Sequence, residues 1–138
     1  KESTFGADLI AGFPTETDEM FRDTLDLVDK CHLTHLHVFP YSIRENTPAA
    51  RMPQVDKSVI KNRANVLRQK GIEKLKEHLN KKVGEKNLIL IEKNHNQRSI
   101  GKDQNFFNVM LDEKMREGNI VPCIYVGVNN NILMAKRI

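Results

Sequence analysis

The stretch "GADLIAGFPTET", residues 6–17, decides how the chain is read. Leu9–Ile10–Ala11 is a short apolar run of strand character. Gly12 breaks it and Pro14 fixes the turn that follows. A strand is therefore expected over 7–11. Thr17 then offers an N-cap hydroxyl, and Asp18 and Glu19 put negative charge at the positive end of a helix dipole. A helix is expected over 17–31, with Phe21, Leu25 and Val28 on one face. His35–Leu36–His37–Val38–Phe39 has strand character again. Strand, helix and strand in so short a span form a βαβ unit, which implies a parallel sheet.

Parallel sheets bind ligands beyond the carboxyl ends of their strands. Gly12–Phe13–Pro14 follows the first strand and Tyr41–Ser42–Ile43–Arg44 the second, so both loops are expected on one face, near each other. Gly12 lets backbone come close to a ligand. Glu16 stands at a helix start, either as a dipole partner or as an acceptor for a ligand hydroxyl or amine.

Outward from this unit, "PYSIRENTPAARMPQ" (40–54) reads as a loop with three prolines. A second helix is expected over 56–82, capped by Asp56, with Ile60, Ala64, Leu67, Gly71, Leu75 and Leu79 as its apolar stripe. It carries nine Lys and Arg against three Asp and Glu, and Gly71 weakens its middle. After Gly84 the texture changes to short strands: "NLILIE", "QRSIGK", "FFNVMLDE", "NIVPCIYVGV" and "NILMAKRI". Asn129–Asn130–Asn131 is a hairpin signal, because asparagine tolerates positive φ. Five such strands suggest a small antiparallel barrel. The fold class is thus α/β followed by all-β, with the boundary near 83, giving segments 1–82 and 83–138.

The 138 residues carry a formal net charge of +4, unevenly spread. Residues 1–55 hold five Lys and Arg against nine Asp and Glu, and residues 56–138 hold seventeen against nine. A basic half of this kind suits a polyanionic partner, most simply nucleic acid. The run of about 18 apolar residues that a membrane span needs is absent, and so is a signal peptide. Cys31 and Cys123 stand far apart, so neither a disulfide framework nor a four-thiolate zinc site is expected. Cys31 is read as an apolar helix residue and Cys123 as a barrel strand residue. These features fit a reducing, cytoplasmic location.

"GADLIAGFPTETDEMF" and "HLHVFPYSIRENTPAARM", followed by a basic helix and a small β-domain, resemble the C-terminal part of the radical S-adenosylmethionine tRNA methylthiotransferases. The nearest branch by these motifs is the one that modifies threonylcarbamoyladenosine. The resemblance implies the end of a partial TIM-like radical SAM barrel with a basic linking helix over 1–82. It implies a TRAM-like RNA-binding β-barrel over 83–138. It implies a transferase that replaces an aromatic C–H of the modified adenine, at C2, by a methylthio group. It places Ile10, Gly12, Pro14, Glu16, Phe39 and Tyr41 around S-adenosylmethionine, and Arg44 and Thr47 on the substrate side. With the charge asymmetry, it makes Arg98, Lys102, Arg116, Lys136 and Arg137 candidate RNA contacts. Thr15 and Asn46 stand where the family usually has glycine; asparagine adopts the left-handed conformation at some cost, so Asn46 is tolerable there, whereas β-branched Thr15 is strained if its turn needs positive φ.

The 4Fe–4S clusters of the family need grouped thiolates, as in CxxxCxxC, which this sequence lacks. The expectation is that the cluster ligands lie in an N-terminal segment outside this chain, that the chain alone is inactive, and that it holds neither catalytic nor metal-ligating residues. The expected partners are tRNA and that segment, with no membrane and no DNA. The alternative is a non-enzymatic RNA-binding module or a degraded remnant of the enzyme. Phe106, Phe107 and Tyr125 have the chemistry to stack on bases, although in a small barrel such residues more often fill the core. His35 and His37 share a strand face, but a hydrolytic metal site would need further ligands that the sequence does not supply. A nucleophile elbow and a P-loop are both absent.

Overall fold

The computed structural model describes residues 3–138. The chain divides into two compact units, Lys1–Lys74 and Leu75–Ile138. In the first, β1 (Phe5–Ala11), α1 (Asp18–Lys30) and β2 (Leu33–Pro40) form a βαβ unit, with β1 and β2 in parallel register from Gly6↔His35 to Ala11↔Pro40. Thr17 caps α1 by accepting from the Met20 amide at 3.2 Å. The chain then passes through a 3₁₀ turn, Pro48–Arg51, into α2 (Lys57–Lys81). Phe21 and Val28 of α1, and Ala64 and Leu67 of α2, pack with Ala11 and Leu33, and Leu9, Leu36 and Val38 join them.

Gly71 does not break α2. A Cβ there would lie 3.2 Å from Leu36 Cβ, so the glycine makes room for β2 against the helix. Lys70 and Lys74 both hold Asp29 at the end of α1, and these bonds draw its carboxyl below its ordinary range. Cys31 departs from the reading as an apolar helix residue. It is the exposed C-cap of α1, because the helix stops at Lys30 and His32 turns to φ 50°.

In the second unit, β3 (Lys86–His95), β4 (Arg98–Lys102), β5 (Asn108–Leu111), β6 (Ile120–Asn129) and β7 (Ile132–Arg137) close into a barrel of order β3-β4-β5-β7-β6. Four of the five pairings are antiparallel, but β5 and β7 run parallel, so the barrel is not wholly antiparallel as expected. The connection from β5 carries the chain past β7's place to β6, and the β6–β7 hairpin then returns it beside β5. Alternate residues point inward: Ile89 and Ile91, Val109 and Leu111, Val121, Cys123 and Tyr125, Leu133 and Ala135. Leu79 completes this core from the last turns of α2.

Two tight turns set the register. Asn130 and Asn131 both have positive φ between Asn129 and Ile132, as the asparagine run predicts. Asn96 and Gln97 do the same between His95 and Arg98, a turn that the sequence reading did not single out. Gly101 is demanded by contact: a Cβ there would collide with the Leu90 carbonyl oxygen, across from a bulge in β3.

Candidate functional site

The strand-end loops of the first unit meet as the parallel sheet requires. The Tyr41 amide extends the ladder by donating to the Ala11 carbonyl at 2.8 Å, and the Phe13 and Tyr41 rings meet edge to face at 5.6 Å. Thr15 adopts φ 70° and Asn46 φ 65°, so both positions where glycine would be easier are left-handed. Thr15 is held there by its amide on the Pro53 carbonyl and by the Glu16 amide on the Phe13 carbonyl.

Glu16 is already occupied. Its Oε1 accepts from the Gly12 amide at 3.1 Å and from Arg63 Nη1 at 2.7 Å, while Arg63 Nη2 donates to Asp18 at 2.7 Å. Arg63 is buried and lies 5.5 Å over the Phe21 ring. Burial opposes its charge, but the bonds to Asp18 and Glu16 outweigh this and raise its pKa further. Among the basic residues of α2, this one is turned inward. The signal available was its place beside Ala64, three residues after Ile60, at the margin of the apolar stripe. At Gly12, φ is 76° and a Cβ would lie 2.5 Å from Ile60 Cγ1, so α2 fills the side from which a side chain would project. Pro14 is fully buried.

Ile10 and Phe39 are register partners, 54% and 51% exposed on the sheet face opposite the helices. His37 lies 3.4 Å from Asp8. Tyr41 instead lines a cavity of about 500 Å³ with Ile43, Val55, Ile60 and Ala64, rimmed by Lys57, Lys61 and Arg68. Its hydroxyl is buried without a hydrogen-bond partner among the described residues. The six residues placed around the cofactor thus divide three ways: Ile10 and Phe39 on the open sheet face, Tyr41 on the cavity, and Gly12, Pro14 and Glu16 within the packing of the turn. Thr47 caps the 3₁₀ turn, its hydroxyl donating to the Arg44 carbonyl and accepting from the Ala50 amide. Arg44 is exposed.

In the barrel, Lys136 and Arg137 are adjacent and exposed at the end of β7. Arg137 lines a depression with Met115 and Asn119 of the β5–β6 loop, the loop that carries exposed Arg116. Arg98 and Lys102 lie at opposite ends of β4, and Arg98 is tied to Asp112 at 2.8 Å. Phe107 and Tyr125 are core residues, while Phe106, at φ 63°, is 75% exposed. Asp103 makes that difference. It accepts from the Asn105 and Phe107 amides and from the Tyr125 hydroxyl at 2.8 Å, folding the loop so that one phenylalanine turns in and its neighbour out. Burial, then the Asp103 carboxylate, pushes the Tyr125 hydroxyl far above its ordinary pKa. Burial likewise raises the Cys123 thiol.

Among the described residues, no three His, Cys, Asp or Glu side chains are grouped to hold a metal ion, and no helix is long and apolar enough to cross a membrane.

The sequence is 47% identical, over 96% of its length, to 30% of the threonylcarbamoyladenosine tRNA methylthiotransferase MtaB of Rickettsia prowazekii. It is 34% identical, over 67% of its length, to 23% of the protein of the same name from Aquifex aeolicus. It is 34% identical, over 85% of its length, to 26% of the tRNA-2-methylthio-N(6)-dimethylallyladenosine synthase of Bartonella tribocorum. The chain therefore spans less than a third of the length of these curated relatives. No family model matches it.

Proposed function

The chain belongs to the tRNA methylthiotransferase family, and from that premise we propose that it is the C-terminal part of an enzyme that places a methylthio group on C2 of N6-threonylcarbamoyladenosine in tRNA. The 47% identity to a relative named for that nucleotide carries the reading. In it, the first unit is the end of a partial TIM-like radical SAM barrel and the second a TRAM-like RNA-binding domain. A parallel β1–β2 pair with helices on one face supports the former, and a closed five-stranded barrel supports the latter. The protein acts in the cytoplasm, with tRNA and an N-terminal cluster-binding segment as partners.

A 4Fe–4S cluster does not fit the residues described here: Cys31 is exposed at the end of α1, Cys123 is buried in the barrel, and no further thiol exists. Radical generation is therefore not assigned to this chain. S-adenosylmethionine fits better. Ile10 and Phe39 offer an apolar wall of two paired, half-exposed side chains on the sheet face opposite α1 and α2. When bound, that cofactor supplies the methyl group and the reactive adenosyl fragment. The chain's own residues hold and orient it. The Glu16–Arg63–Asp18 clamp ties the turn beyond β1 to α2.

The test is a hybrid in which this chain replaces the corresponding segment of the Rickettsia relative, with product nucleosides read by mass spectrometry. The expected product is the methylthio derivative of threonylcarbamoyladenosine. Product from dimethylallyladenosine alone would reassign the substrate, and a folded hybrid that modifies neither would overturn the reading.

A further inference from the structure

The cavity beside the end of β2 has the volume of a small-molecule site, about 500 Å³. Its floor is apolar, from Val55, Ile60 and Ala64, and its rim is cationic, from Lys57, Lys61 and Arg68. Arg68 is partly used, on the Val38 carbonyl and on Asn65. Lys57 and Lys61 have no hydrogen-bond or ion-pair partner among the described residues, and both are exposed. They also stand where helix electrostatics oppose them. The first turn of α2 holds no acid, and cations at a helix N-terminus work against its dipole. The cap carboxylate of Asp56 is engaged with Ser58, whose bonds lower its pKa. Asp56 thus caps the helix end itself, and it is the two unpaired lysines that favour an anion at the mouth. An inorganic anion would leave the apolar floor unused, and a neutral apolar ligand would leave the lysines unused.

We propose that this cavity binds a nucleoside monophosphate unit of an RNA strand, its base on the Ile60–Ala64 floor and its phosphate between Lys57 and Lys61. Only the choice of RNA as the source rests on the tRNA-modifying reading. Ile10 and Phe39 do not line this cavity, so it is separate from the wall assigned to S-adenosylmethionine. That cofactor carries a sulfonium and an ammonium against a single carboxylate and has no phosphate, so its net positive charge suits the lysine pair less well than a phosphate does.

Amide chemical-shift titrations of the 138-residue chain decide the matter, with AMP, adenosine, S-adenosylmethionine and single-stranded hexa-adenylate as probes. AMP is expected to shift amides in 41–43 and 57–61, adenosine to bind at least about tenfold more weakly, and S-adenosylmethionine to leave the amides of 57–61 unmoved. Hexa-adenylate is expected to saturate the same amides at lower concentration than AMP. The double substitution Lys57→Ala, Lys61→Ala is expected to weaken AMP binding about tenfold or more, with the remaining spectrum unchanged. Equal affinity for adenosine and AMP, shifts in 57–61 with S-adenosylmethionine, or indifference to the double substitution would overturn the proposal. AMP binding as tight as hexa-adenylate would overturn RNA as the source. A chain that binds tRNA but shows no AMP shifts fails this inference alone. A chain that shows the AMP shifts but binds no tRNA fails the functional reading.

Discussion

Every strand of the barrel has two neighbours, whereas β1 and β2 pair with each other alone among the described residues. In the barrel, the inward residues from five strands are buried against one another. In the first unit, one sheet face is covered by helices and the other leaves Ile10 and Phe39 about half exposed. A closed sheet has no edge, so its integrity rests on how well its interior and its strand contacts fit. An open sheet has to be held from one side. Here the holding is done by α1 and α2 and by ionic clamps between them and the turn: Arg63 on Glu16 and Asp18, Lys70 and Lys74 on Asp29. The closed region should thus break when its fit is disturbed, and the open region when a clamp is removed.

The sharpest disturbance of fit is Gly101→Ala. The new methyl would collide with the Leu90 carbonyl oxygen, and backbone cannot yield as a side-chain tip does. A loss of about 4 kcal/mol is expected in urea denaturation, with the barrel amides losing protection in hydrogen exchange. A loss under about 1 kcal/mol would mean that the β3–β4 contact is looser than described.

For the open region, Arg63→Ala leaves the nearly buried Glu16 carboxylate with only the Gly12 amide. The expected cost is about 3 kcal/mol, with exchange accelerating over 12–18 while the barrel amides stay protected. Equal acceleration in both regions would show that they open as one unit. Tyr41→Phe works in the opposite direction. It removes a buried hydroxyl without a partner among the described residues, so thermal unfolding is expected to show a gain of about 1 kcal/mol. A loss of stability would show that the hydroxyl is satisfied in solution.

What the sequence disclosed follows the same division between local and tertiary causes. The βαβ unit, the Thr17 cap and the asparagine hairpin were legible because each is written in a few adjacent residues. The left-handed turns at Thr15 and Asn46 were legible through the resemblance, which puts glycine at both places, and the cost falls on β-branched Thr15. The inward turn of Arg63 was not legible, because it depends on a carboxylate 47 positions away. Glu16 was open between dipole partner and ligand acceptor, and in the structure it bonds Gly12 and Arg63. The parallel β5–β7 pair, the opposite fates of Phe106 and Phe107 and the demand for glycine at 101 arise from strands brought together by closure. Of the candidate site residues, the sequence identified strand-end loops that do meet, but not the cavity, whose rim comes from the start of α2.

The most direct test of the account is tRNA binding by the whole chain, followed by fluorescence anisotropy across a salt series. Lys102, Arg116, Lys136 and Arg137 have no ion-pair partner among the described residues, whereas Arg98 is tied to Asp112. If these four meet phosphates, log affinity should fall with log salt at a slope of roughly −3 to −4. Replacing Lys136 and Arg137 by alanine should flatten that slope by about two units. A flat salt response, or no tRNA binding at low salt, would contradict the assignment of the barrel as the RNA-binding half.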